Sequence, residues 1–106
     1  MSHAYKLVYL SSARADMLQV SRYIAQKLSS PQAAVNLLKS IDESITLLQQ
    51  FPYTHPIIHL KKVLNKEFRI LPVKNFAVIY VVDEDKKIVE IQAIIYAKRD
   101  FKHKDK

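Results

Sequence analysis

The sequence predicts a small α+β domain in which one N-terminal strand and a helical hairpin precede three further strands. Aromatic and β-branched residues cluster at the start of the chain and again in its last third. Between these regions, two stretches carry apolar residues at helical spacing. The 106 residues fit one domain. We therefore expect an antiparallel three-stranded meander with both helices packed on one face.

The first half of the chain holds the strand and the hairpin. Residues 4–10 are aromatic, aliphatic and β-branched, which favours a strand. Ser11 or Ser12 is expected to cap the first helix, because a serine hydroxyl accepts hydrogen bonds from the free amides of a first turn. Ser30 and Pro31 form the start signal of the second helix. The apolar stripes of the two helices are Ala13, Met17, Val20, Ile24 and Leu28, then Ala34, Leu37, Leu38, Ile41, Ile45 and Leu48.

The second half holds the meander. Residues 51–66 contain two prolines and no clean period, so the second helix should end before Pro52 and a connecting loop should follow. The middle strand of the meander is apolar on both faces and is expected to be central. Tyr80 and Tyr96 are expected to be core aromatics, and residues 100–106 a flexible tail. The predicted strands and turns are Glu67–Val73, the turn Lys74-Asn75, Phe76–Val82, the acidic turn 83–87 and Ile88–Ala97.

The composition excludes several kinds of site. The chain has no cysteine and no glycine, which removes disulfides, thiolate chemistry and glycine-rich phosphate loops. His55 and His59 have a spacing that suits metal ligands on a helix, but Pro56 lies between them and no third ligand is near, so we expect no metal and no cofactor. No apolar run approaches the roughly 20 residues of a membrane span. Because a signal-peptide pattern is also missing, we expect a cytoplasmic protein without membrane contact.

The formal net charge of +7 is concentrated in two segments. Residues 61–74 hold five basic residues against Glu67, and residues 98–106 hold five against two acidic ones. A basic domain implies a polyanionic partner, which is nucleic acid, an enzyme that acts on nucleic acid, or an acidic protein. The alternative is a solvated face followed by a lysine-rich tail.

The candidate site residues are cationic. We expect Arg69, Lys74 and the pair Lys98-Arg99 to line one face of the sheet, with that pair near the start of the first meander strand. Such a ring of cations grips phosphates and stabilises a charged phosphorane without a metal. RNA cleavage then needs only a base and an acid, and His103 is the histidine nearest in sequence. The structural alternative pairs both arginines with neighbouring carboxylates and leaves His103 in the tail. The expected target-binding surface consists of Lys61, Lys62, Lys66, Arg69, Lys74, Lys98 and Arg99.

Three segments in this order resemble the RelE/ParE toxin superfamily. They are Leu47–Pro52 at the helix exit, Phe68–Tyr80 and Ile94–Asp100. The resemblance runs from Tyr5 to Asp100 and implies a RelE/ParE-like fold. It also implies the toxin half of a type II toxin–antitoxin module, often described as a plasmid stabilisation protein. Such a toxin is held inactive by a cognate, acidic antitoxin that wraps it, and the oligomer then forms through the antitoxin.

The superfamily implies one of two activities. RelE-like members cut mRNA on the ribosome, whereas ParE-like members inhibit DNA gyrase and are not known to catalyse a reaction. The RelE-type pattern has an arginine that ends the last strand, which Arg99 matches. It also has an arginine where this chain has Ala77, and a basic pair where it has Phe68 and Ile70, although a one-residue shift would bring in Arg69. We therefore predict a ParE-like, non-catalytic toxin, with a metal-independent mRNA endonuclease as the alternative.

Overall fold

The structure, a computed structural model, describes residues 4–28, 30–58 and 66–97 and has the expected α+β architecture. Its strands form one sheet in the order β1-β5-β4-β3-β2. β1 runs parallel to β5, and the other neighbours are antiparallel. The predicted tail, residues 100–106, lies outside the described residues. The elements are β1 (Lys6–Tyr9), α1 (Ser11–Leu28), α2 (Pro31–Leu47), β2 (Ile57–Ile58), β3 (Phe68–Val73), β4 (Phe76–Asp83) and β5 (Ile88–Tyr96).

The core lies between the two helices and one face of the sheet. Val78 and Tyr80 of β4 and Ile91 of β5 are completely buried there, together with Ile41 of α2. β4 is the central strand, as its apolar sequence predicts. The expectation for Tyr96 is wrong, since its side chain is 52% exposed. Its ring lies at the end of β5, where a groove separates the sheet from α1.

α1 is fixed to the sheet at an irregularity of β5. The β4–β5 ladder skips Gln92, which forms a bulge. The Ser12 hydroxyl donates to the Gln92 carbonyl over 2.9 Å. The Ile94 amide donates to Asp16 Oδ2, also over 2.9 Å. Two side chains one helical turn apart therefore partner the carbonyl of the bulge residue and the amide two residues after it.

The two helix starts are built differently. Ser30 caps α2 as predicted, because its hydroxyl accepts a hydrogen bond from the Ala33 amide over 3.2 Å. The cap predicted for α1 is wrong, because the helix begins at Ser11. The capping position is therefore Leu10, whose carbonyl accepts hydrogen bonds from the amides of Ala13 and Arg14. Ser12 is instead directed to the sheet.

The segment between α2 and β2 folds back onto the sheet; we call residues 51–56 the 51–56 segment. The buried hydroxyl of Tyr80 donates to the Pro52 carbonyl over 2.8 Å. The Ile70 amide of β3 donates to the Pro56 carbonyl over 3.1 Å. The predicted loop thus leads into the short strand β2, which pairs with the start of β3. Two residues are too few for a periodic pattern to reveal such a strand.

We predict that Tyr80→Phe lowers the free energy of unfolding by about 1–2 kcal/mol, because it leaves the buried Pro52 carbonyl without its donor. Denaturant unfolding measures this change. Tyr23→Phe is the control, because the Tyr23 ring is exposed on α1 and its hydroxyl accepts a long hydrogen bond of 3.4 Å from the exposed Lys27. Equal stability of Tyr80→Phe and the wild type would show that this hydroxyl does not hold the segment.

Candidate functional site

The face of the sheet that points away from both helices is apolar. Side chains alternate between the two faces of a strand, and the register places Ile79 between Ile70 and Ala93, and Ala77 beside Ile95. None of these side chains belongs to the core cluster beneath the helices, but the central ones, Ala77 and Ile79, are themselves buried. Glu90 lies at one end of this surface, opposite Val81. We call this face of the sheet the distal face, and its residues are Phe68, Ile70, Pro72, Ala77, Ile79, Val81, Glu90, Ala93 and Ile95.

The distal face brings together the positions at which the RelE-type pattern carries cations. Phe68 and Ile70 are partly exposed and lie two residues apart on β3, and Ala77 lies opposite Pro72, two residues further on. The three positions therefore lie on the same face of the sheet. Phosphate recognition needs charged or polar donors, and these three side chains have none.

Arg69 lies on the other face of the sheet, opposite the buried Tyr80. Its Nη1 donates to the His55 carbonyl over 2.8 Å. The guanidinium carbon is 5.0 Å from the centre of the Tyr53 ring, and Nη2 is 3.8 Å from a carboxylate oxygen of Glu67. The Arg69 side chain is only 13% exposed. It is thus held chiefly by a backbone carbonyl and an aromatic ring of the protein itself, and it does not reach the distal face.

Two other expected site cations that the structure describes, Lys66 and Lys74, lie apart from the contacts of Arg69. Lys66 is exposed just before β3, and Lys74 is exposed in the β3–β4 turn with a φ of 55°. Five residues of extended chain separate Arg69 from Lys74, or about 17 Å. The remaining expected site residues lie outside the described residues: Lys61, Lys62, Lys98, Arg99 and His103.

The expected position of the end of the last strand is wrong. The amide of Ala97 donates to the carbonyl of Asn75 over 2.8 Å, so β5 ends beside the β3–β4 turn. β3 and β5 both run antiparallel to β4 and therefore end on the same side of the sheet. Ala97, the last described residue, consequently lies at the Lys74 end of the sheet and not at the start of β3.

A polar cluster joins three chain segments where β4 turns into β5; we call it the Glu84 cluster. The hydroxyls of Tyr5 and Tyr53 each donate to Glu84 Oε1 over 2.6 Å, and the Lys87 ammonium pairs with Glu84 Oε2. Lys87 and the two hydroxyls stabilise the charged carboxylate and lower the pKa of Glu84 to about 2. The same bond to Glu84 raises the pKa of Tyr53 well above its ordinary value. Local sequence carries no signal for this cluster, because its tyrosines are 79 and 31 residues from Glu84.

The Glu84 cluster is suited to holding segments together and not to moving protons. A carboxylate with a pKa near 2 is a poor base at neutral pH, and a phenol with a raised pKa keeps its proton. Nearby, burial lowers the pKa of His55, which favours its neutral form. Among the described residues, no three histidine or carboxylate side chains come together as metal ligands would.

A groove of about 680 Å³ opens on the helix side of the sheet, between α1 and the ends of β4 and β5. Arg22 and Tyr23 line it from α1, and Phe76 and Tyr96 line it from the sheet. The Tyr96 ring centre is 5.3 Å from that of Phe76 and 6.4 Å from that of Tyr23. Since these side chains face α1, the groove and the distal face are separate surfaces.

The fold and the distal face define a basic α+β domain in which one face of the sheet is apolar at the positions where a related ribonuclease would carry cations. The chain belongs to the ParE toxin family of type II toxin–antitoxin systems, because the model of that family, described as the ParE toxin of the parDE system, matches residues 7–101. This match confirms the resemblance to the RelE/ParE superfamily and the prediction that the chain is closer to its ParE-like members. Neither described helix is both long and apolar enough to span a bilayer.

Solved structures with the same fold come from both branches of the superfamily. A chain of the chromosomal ParDE system of P. aeruginosa is 22% identical, with a TM-score of 0.72 over 92% of this chain and 100% of its own. A chain of the RelBE2 toxin–antitoxin complex of Mycobacterium tuberculosis is 14% identical, with a TM-score of 0.62 over 88% and 91%. The isolated E. coli RelE toxin is 12% identical, with a TM-score of 0.56 over 96% and 94%. No curated protein matches the chain.

The Glu84 cluster makes stability depend on pH in a predictable direction. The folded pKa of about 2 is below the ordinary value of 4.5, so its stabilisation is present above pH 4.5 and is lost as the pH falls toward 2. We expect unfolding measurements across this range to show a steeper loss for the wild type than for Glu84→Gln. Asp85→Asn, in the same turn, should follow the wild type. Parallel curves for the wild type and Glu84→Gln would contradict the assignment.

Proposed function

We propose that this ParE-family toxin inhibits growth by binding DNA gyrase and does not cut RNA. The observation that carries the proposal is the apolar distal face. Phe68, Ile70 and Ala77 occupy the positions where a RelE-type ribonuclease would bind phosphate, and they offer no charge. The family match supports the same branch of the superfamily.

An apolar surface suits a protein target better than it suits RNA. Contiguous apolar side chains at a surface mark sites of contact with other proteins, whereas single-stranded RNA is bound through cations and stacked aromatic rings. Arg69 does not supply the missing charge, because its guanidinium is engaged on the opposite face. The net charge of +7 favours approach to an enzyme that itself carries a polyanion.

The same proposal includes a cognate antitoxin. The P. aeruginosa and M. tuberculosis structures are toxin–antitoxin systems, which supports a partner of this kind for this chain. An acidic antitoxin fits the positive net charge. The oligomer would then form through the antitoxin, in the cytoplasm where gyrase works.

Expression of the chain from a tightly controlled promoter tests the target. We expect growth arrest with DNA damage and altered plasmid supercoiling while transcripts stay intact. A small acidic reading frame next to the gene, when co-expressed, should restore growth. Cuts in mRNA at fixed codon positions would overturn the gyrase proposal in favour of a ribosome-dependent endonuclease, and absence of any arrest would contradict toxicity itself.

The distal face makes a second prediction about the target contact. Ile95 is 43% exposed there, so Ile95→Asp should leave the melting temperature nearly unchanged and weaken gyrase binding about tenfold or more. Binding is measured with purified gyrase by titration. Val35→Asp, which alters an exposed apolar residue on α2, is the matched control and should bind like the wild type. If both variants bind equally well, the distal face is not the contact surface.

A further inference from the structure

We propose that Arg69 is a positioning residue that acts with Glu84 as a clamp on the 51–56 segment. Arg69 reaches the segment from strand β3 and Glu84 from the β4–β5 turn, and they hold different atoms of it. Each depends on the other, because they share Tyr53. The clamp is a property of the folded chain and holds whatever the cellular target is.

The 51–56 segment has no regular secondary structure but is fixed to the sheet at four points. Segments of this kind normally move, because few of their groups are paired. Here backbone carbonyls and one hydroxyl are each bound by a group from the sheet or its turn. The four contacts are Tyr80 to the Pro52 carbonyl at 2.8 Å, Tyr53 to Glu84 at 2.6 Å, Arg69 to the His55 carbonyl at 2.8 Å and the Ile70 amide to the Pro56 carbonyl at 3.1 Å.

Tyr53 is the residue that couples the two halves of the clamp. The guanidinium of Arg69 lies over its ring at 5.0 Å, and Glu84 accepts the hydrogen bond of its hydroxyl. Loss of the contact with Arg69 or of the hydrogen bond to Glu84 frees the Tyr53 ring to leave the remaining partner. The Tyr5 ring meets the Tyr53 ring edge-on, with 6.4 Å between their centres, which packs the N-terminal segment against the same side chain.

The environment of Arg69 suits a positioning role better than target binding. A cation that recognises an external anion has to be accessible, but this side chain is 13% exposed. The carboxylate oxygen of Glu67 is 3.8 Å away, which is beyond hydrogen-bond distance. The close partners are the His55 carbonyl and the face of Tyr53. A planar guanidinium serves both at once, whereas a lysine ammonium serves one of them.

The clamp decides how a substitution at Arg69 acts on toxicity. Phe51 opens the segment and is 56% exposed, directly before the anchored Pro52. Loss of Arg69 would therefore change the position of the 51–56 segment and of the exposed Phe51, although Arg69 itself does not contact the target. This consequence depends on the proposed function, but the clamp itself does not.

Native-state amide hydrogen exchange measured by NMR tests the clamp in the full chain. The Ile70 amide reports directly, since it donates to Pro56 within the segment. We expect Arg69→Lys, Arg69→Met and Glu84→Gln each to speed its exchange about tenfold, while the amides of the central strand β4 change less than twofold. Lys66→Met and Asp85→Asn are the controls for a nearby cation and a nearby carboxylate, and both should match the wild type.

A double variant separates a coupled clamp from two independent contacts. In Arg69→Lys with Glu84→Gln, exchange of the Ile70 amide should be close to that of either single variant, because Tyr53 is already released. Multiplication of the two single effects would overturn the coupling. Uniform acceleration of all amides, including those of β4, would show a merely structural role and overturn the positioning assignment.

Growth arrest by the same variants connects the clamp to toxicity. Arg69→Lys should weaken arrest, and Lys66→Met should not. If the wild type does not arrest growth, the proposed function fails while the exchange data still decide the clamp. If Arg69→Lys accelerates the Ile70 amide but arrests growth as the wild type does, the clamp stands and its link to toxicity is refuted.

Discussion

Burial of β4 on both faces is the constraint on which the rest of the structure depends. The run Phe76–Val81 is buried throughout, so both faces of the sheet must be apolar around it. The helices meet this requirement on one side, through residues such as Ile41 and Ile45. On the other side, Ile70 and Ala93 flank Ile79 across the neighbouring strands. The apolar character that makes β4 a stable centre is thus also what deprives the distal face of phosphate-binding groups.

Because side chains alternate between the two faces of a strand, an alignment shifted by one residue assigns a residue to the wrong face of the sheet. Ile70 points to the distal face and Arg69 to the helix side, although they are neighbours in sequence. Matching Arg69 to a family position by a shift of one residue therefore moves a cation through the sheet, from a surface into the interior. There the guanidinium stabilises the 51–56 segment. An arginine that resembles a site residue in sequence has a different chemical role here.

The features that the sequence predicts are those that repeat locally along the chain. The apolar run of β4, the cap at Ser30 and the order of the elements all depend on residues within one or two turns of each other. The Glu84 cluster joins Tyr5 and Tyr53 to a turn far away in sequence, and no periodicity encodes such a pairing. Ser12 belongs to the same class, because its partner at Gln92 exists only once β5 is bulged. The end of β5, in contrast, could have been predicted, because the antiparallel direction of the strands alone places it beside the β3–β4 turn.

The apolar distal face and the internal contacts of Arg69 and Glu84 bear on the binding mode proposed for this toxin. A ribonuclease needs several cations held at fixed positions on one surface, and each replacement by an apolar residue removes transition-state stabilisation. A toxin that acts by binding needs a surface of fixed shape, which apolar side chains on a rigid sheet supply. The contacts of Arg69 and Glu84 extend that rigidity to a segment without secondary structure. In this chain the charged groups therefore determine shape, and the apolar groups form the surface proposed to meet the partner.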